Sequence, residues 1–198
     1  MKTLFHNEGS LLMTIYIAFL RGINVGGKNI IKMAKLRQVF EAIGLYDVQT
    51  FIQSGNVLFK SDEAEEFLRN KIEHEIESNF GFSVTVVLRT HKDLERIISN
   101  CPFSEDEIAK AESFSETESL YVALLVHNPL KEKIEYLNTY ASESDEYRIA
   151  DRDVFLLLRH SIRKSKLANN LQKLDVPVTV RNWKTLSKLA SLTKAMEI

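Results

Sequence analysis

Two stretches of this chain occur twice in the same order, and that repeat limits the possible folds more than any other feature. Ile15-Tyr16-Ile17-Ala18-Phe19-Leu20 shares its pattern with Leu120-Tyr121-Val122-Ala123-Leu124-Leu125. Further on, Arg89-Thr90-His91-Lys92-Asp93-Leu94 is matched by Arg181-Asn182-Trp183-Lys184-Thr185-Leu186. Matching markers at both ends of two segments point to one architecture built twice. We therefore expect an α+β protein made by internal duplication, with two ferredoxin-like βαββαβ units and a C-terminal helix. The expected divisions are residues 1–13 as an N-terminal extension, 14–103 as the first unit, 104–118 as an acidic linker and 119–198 as the second unit with the terminal helix.

The elements between the markers follow from periodicity. Thr14 to Arg21 is β-branched and aromatic and reads as a strand; Met33, Leu36, Val39, Phe40 and Ile43 then recur at helical spacing, ended by Gly44. Val48 to Gln53 and Val57 to Lys60 are short strands flanking the turn Ser54-Gly55-Asn56. Ser61 is positioned to cap a helix reaching about Asn79, with Phe67, Leu68, Ile72 and Ile76 on its buried face. Phe82 to Leu88 is a strand and Lys92 to Ser99 a helix. The second unit repeats this order through helices at Leu130 to Tyr140 and Lys166 to Leu174, with two strands around Ala150-Asp151-Arg152-Asp153.

The one segment without a counterpart is Arg21-Gly22-Ile23-Asn24-Val25-Gly26-Gly27-Lys28-Asn29. Three glycines let main-chain amides converge, and Arg21 and Lys28 add positive charge, which together favour an anion. The spacing G-x-x-x-x-G-K-N misses a phosphate-binding P-loop by one residue, since Asn29 stands where a Ser or Thr is needed for Mg²⁺. No strand here ends in the Asp that would steady the metal, so nucleotide hydrolysis is not expected.

This loop, the turn Gln53-Ser54-Gly55-Asn56-Val57 and the late Arg181-Asn182-Trp183 together closely resemble the bacterial domain-of-unknown-function 1697 family. The resemblance runs from about Thr14 to the C-terminus and implies a duplicated α+β fold in a soluble bacterial protein. It implies no activity. The chain departs from the family pattern at Cys101, where the resemblance implies Asn before Pro-Phe, so a required nucleophile is not expected there.

Composition excludes more than it selects. The formal net charge is −1, and Cys101 is the only cysteine, which rules out an intrachain disulfide and suits a cytoplasmic protein. The apolar run Leu11 to Leu20 is half the length of a membrane span, so no membrane partner is expected. His6, His74, His91, His127 and His160 are scattered without metal-ligand spacing, and neither a metal nor a cofactor is expected. Ser54 lacks the glycine at Ile52 that a nucleophile elbow needs. Charge is segregated: Arg159 to Lys194 holds nine basic residues against Asp175, while 104–118 is acidic and could pair with it. Tyr16 and Phe19 resemble part of an RNA-stacking platform, but Ser54 and Asn56 stand where its partner aromatics belong, so a core role is favoured.

These readings converge on one expectation. Arg21 to Lys28, Gln53 to Asn56 and Arg181 to Trp183 meet at a polar, positive cleft. There Gly26, Gly27, Arg21, Lys28 and Arg181 hold a small phosphate or carboxylate ligand, Asn24, Gln53, Ser54, Asn56 and Asn182 read its polar groups, and Trp183 stacks. Nucleic-acid binding through the basic third and an enzyme acting on a phosphorylated metabolite stay open as alternatives. No catalytic constellation is recognisable, and oligomeric state is not legible.

Overall fold

Every residue of β1 (Thr14–Leu20) after the first is buried, which a strand achieves only when both faces of its sheet are covered. Ile15, Ile17 and Phe19 enter one apolar cluster, while Tyr16, Ala18 and Leu20 enter another. The computed structural model describes residues 13–115 and 117–197 and shows what lies on each side. Apart from Met13, the expected N-terminal extension falls outside the described residues.

β2 (Tyr46–Phe51), β3 (Asn56–Ser61) and β4 (Val86–Thr90) complete an antiparallel sheet in the order β2-β3-β1-β4. Its outer face is covered by α1 (Met33–Ala42) and α2 (Glu65–Phe80) through Leu36, Phe40, Leu68, Ile72 and Ile76. Tyr16 stacks on Phe59 at 5.7 Å within this cluster, a packing role for that aromatic. β5 (Leu120–Leu125), β6 (Asp145–Ala150), β7 (Asp153–Leu158) and β8 (Val178–Asn182) form a second antiparallel sheet with the corresponding order β6-β7-β5-β8. α5 (Lys131–Leu137), α6 (Lys166–Asn169) and 3-10 turns cover its outer face. The inner faces of the two sheets share one core, completed by α3 (His91–Ser99), α4 (Glu105–Glu112) and α7 (Trp183–Ala195). Among the described residues no helix is long and apolar enough to cross a membrane.

Five expectations need correction. The 104–118 linker is not all connector, because Ser104 and Glu107 form a capping box that starts α4. Glu107 then pairs with Arg148 of β6 rather than with the basic third. Ser61 caps no helix; its hydroxyl accepts from Glu63 N–H and α2 begins after Ala64. Phe67 is 60% exposed instead of buried, with Lys71 Nζ 5.9 Å from its ring centre. The single helix expected from Lys166 to Leu174 breaks at Asn170 into α6 and a 3-10 turn, as asparagine's local hydrogen bonding favours.

Candidate functional site

The glycine segment folds back on itself. Lys28 N–H donates to Val25 O at 3.1 Å, with Gly26 at φ 58° and Gly27 at φ 74°, the paired positive angles of a tight hairpin turn. Asn24 fastens its base: its amide nitrogen donates to Ile31 O and Gln53 O, and its amide oxygen accepts from Ile31 N–H. α1 starts only at Met33, so Lys28 does not sit at a helix N-terminus as a P-loop lysine does.

Each half of the chain sends an arginine from its last strand into the other half. Arg89 on β4 donates to Asp153 Oδ1 from Nη2 at 2.7 Å and from Nε at 3.2 Å, and to the carbonyls of Leu125 and Arg152. Arg181 on β8 donates to Asn56 Oδ1 at 2.7 Å and to the carbonyls of Leu20 and Ser54. Thr179 Oγ1 and Val180 O take its remaining N–H groups, and Phe19's ring lies 5.6 Å from the guanidinium. The two arginines are alike in position but not in charge balance. Arg89 faces a carboxylate; burial lowers its guanidinium and raises Asp153's carboxyl, each opposed by the other's charge. Among the described residues Arg181 faces only neutral groups, and burial brings it down to about 10, which leaves it charged at neutral pH.

A cleft of about 520 Å³ opens beside Arg181. It is lined by every residue of β8, by Arg21, Ile23 and Val25, by Ile52 and Ser54, by Ile162, Leu171 and Gln172, and by Thr185 in the first turn of α7. Asn182 caps α7, accepting from Thr185 N–H at 2.9 Å, so the helix's positive end borders the same space. The corresponding place in the first half is filled. There Arg152, one residue before Asp153 as Gly55 is before Asn56, reaches Glu65 at 2.6 and 2.9 Å and Asp93 at 3.5 Å. Burial works to raise Asp93, but hydrogen bonds from Thr90 and the charges of Arg152 and Arg89 leave it below the usual carboxylate range. In the second half Gly55 has no side chain to fill the space. Ile162 follows β7 at the distance Glu65 follows β3, and Thr185 holds the position of Asp93. A larger cleft of about 990 Å³ near Tyr46 is lined by groups already paired, Lys60 with Asp47 at 2.8 Å and His91 with Glu197 at 3.0 Å.

Of the residues singled out in the sequence, Arg21, Ser54, Arg181 and Asn182 meet at this cleft. Gly26, Gly27 and Lys28 sit at an exposed hairpin tip that does not line it, and neither does the exposed side chain of Gln53. The expected direct ligand contacts of Asn24, Asn56 and Arg181 are corrected, because their donors and acceptors are spent holding the loops together. Trp183 does not stack in the cleft but packs in the shared core, 6.4 Å from Phe155. Sequence reasoning missed Thr185, Ile52 and the edge of β8. For Thr185 the signal was present, since the repeat aligns it with Asp93.

A comparison with curated proteins returns no match. Among solved structures the chain is similar to the conserved bacterial protein SP0830 from Streptococcus pneumoniae, with a TM-score of 0.67 and 28% identity over 90% of this chain and 98% of that one. A model of proteins of unknown function, DUF1697, matches residues 13–155, which takes in the hairpin loop, the turn before β3 and the Arg152 and Asp153 that receive Arg89. The chain belongs to the DUF1697 family.

Proposed function

We propose that this protein binds an anionic ligand with an apolar body in the cleft beside β8. The observation that carries the reading is Arg181, a buried cation with no carboxylate partner among the described residues, whose twin Arg89 has one. An uncompensated buried charge is expensive, and an incoming anion relieves part of that cost. Arg181 contributes its field rather than its hydrogen bonds. The direct donors are the exposed guanidinium of Arg21, the hydroxyls of Ser54 and Thr185, and the amide nitrogen of Asn182. The N-terminus of α7 adds its dipole, and Ile162, Leu171 and Ile52 offer apolar surface to the rest of the ligand. In this reading each half of the chain is a ferredoxin-like unit, as the matching strand orders support, and duplication left one site filled internally and the other free.

Thermal melting against nucleotides, sugar phosphates and carboxylates, beside an Arg21→Ala variant, tests this. Ligand at 100 times its dissociation constant stabilises by about 2.7 kcal/mol, a readable shift. A shift with one anion class that disappears in the variant supports the cleft; no shift with any anion sinks the reading.

A further inference from the structure

We infer that the ligand is an extended acidic peptide segment, which the protein binds by adding it as a strand along the free edge of β8. This rests on the anionic reading of the cleft and names the ligand's class. Val126 N–H donates to Pro177 O at 3.1 Å, which fixes the alternation of the ladder: Thr179 and Arg181 turn their main-chain groups toward β5, and Val178, Val180 and Asn182 turn theirs outward. The cleft is lined by all five consecutive residues of β8. Alternating side chains cannot all point one way, so it is the strand's edge that borders the space.

The equivalent edge in the first half is closed by carboxylates. On β4, Val86 N–H donates to Glu73 Oε1 at 2.8 Å and Thr90 N–H to Asp93 Oδ2 at 3.0 Å. On β8 the matching amides, those of Val178 and Asn182, have no such acceptor among the described residues. Thr185 replaces Asp93, and the short α6 with its 3-10 turns replaces the long helix that carries Glu73. An unpaired edge is a template for another strand unless it is blocked. A peptide laid there supplies carbonyls to these amides and alternate side chains to the apolar lining. Its charge is set by what surrounds the cleft: Arg21 and Arg181 within it, and exposed Arg163, Lys164, Lys166 and Lys173 on α6 and the 3-10 turns that flank it. Five extended residues at about 3.3 Å each match β8.

The test uses the full chain and acetyl-Val-Glu-Val-Asp-Val, its lysine-for-acid counterpart, two N-methylated versions blocking alternate amides, inorganic phosphate and glutarate. Binding is followed by the amide resonances of Val178, Val180 and Asn182. The expected result is saturable shifts at these amides with the acidic peptide and about tenfold weaker binding by one N-methylated version and by the lysine peptide. Thr185→Asp, which supplies the missing capping carboxylate and so keeps α7 folded, is expected to abolish peptide binding. If both N-methylated versions bind as well as the parent, or only phosphate and glutarate bind, strand pairing is overturned while the anionic reading stands. Undiminished peptide binding by Thr185→Asp overturns it too, and binding of no probe overturns both.

Discussion

Arg89 and Arg181 reach across the interface in opposite directions to equivalent turns, and the difference in charge between what they meet lies at Asp153 against Asn56. An oxygen accepts from the guanidinium in both places, but only one carries charge. The twin sites therefore amount to a controlled comparison within one molecule. Arg89→Met leaves Asp153 buried with no partner and is expected to cost about 3–5 kcal/mol. Asp153→Asn copies the arrangement already present at Asn56 and should cost clearly less. Urea unfolding of the two variants decides it; equal losses would show that the charge pair is not what Arg89 contributes.

Gly55 and Gly26 both have positive φ, 79° and 58°, yet their surroundings differ completely. A Cβ on Gly55 would lie 2.8 Å from Ile23 Cδ1 and 2.9 Å from Leu20 Cβ, at the turn whose carbonyls receive Arg181, whereas one on Gly26 meets nothing within 4 Å. Gly26→Ala is expected to lose only the backbone term of about 1–2 kcal/mol. Gly55→Ala adds overpacking of about 1–3 kcal/mol to that. Comparable unfolding midpoints for the two would show that the turn yields freely and that Arg181's anchorage is softer than its hydrogen bonds indicate.

The two sheets of matching strand order were legible because the repeated markers fall on buried strands and on strand-to-helix junctions, both of which leave local patterns. Asn182 caps α7 and Thr90 caps α3, the same job at the same place in the two matching segments. The site was legible only in part. Arg21 and Arg181 were visible as charges, but the Arg181 to Asn56 bond joins residues 125 apart in the chain, and no periodicity reports such a pair. The same limit explains why Asn24 looked like a ligand contact. Nothing local shows that Gln53 O and Ile31 O will occupy its amide. α4 is a different case, since Ser104-x-x-Glu107 is a local capping signal that the reading of the segment as an acidic linker passed over.

Glu107 ties α4 to β6 through Arg148 and gives a pH signature. The hydrogen bonds from Arg148, then that from Ser104, hold its carboxyl down to about 2. A carboxyl whose folded value is depressed stabilises fully above its unfolded value, about 4.3 for glutamate, and loses that contribution as pH falls toward the folded value. The melting-temperature difference between wild type and Glu107→Gln should therefore be constant above about pH 5 and shrink as pH falls toward about 2. A difference that persists unchanged at the acid end would remove Glu107 from the account of acid sensitivity.

Ile52 lines the cleft, is 49% exposed and holds φ 48°, a left-handed backbone that β-branched side chains strongly avoid. Such strain is retained where the surrounding structure forces it and is concentrated at sites of function. Here the turn is pinned from both sides, by Asn24 on Gln53 O and by Asn56 on Phe51 O, so the angle at Ile52 is imposed and the side chain is the part left to choice. Asparagine tolerates this angle far better, so Ile52→Asn should stabilise the fold by about 1 kcal/mol. If Ile52 is kept for the apolar contact it offers a ligand, the same variant should weaken peptide binding in the titration above. Greater stability with unchanged binding would make the isoleucine incidental to the cleft, and a loss of stability would mean that its packing outweighs the strain at its backbone.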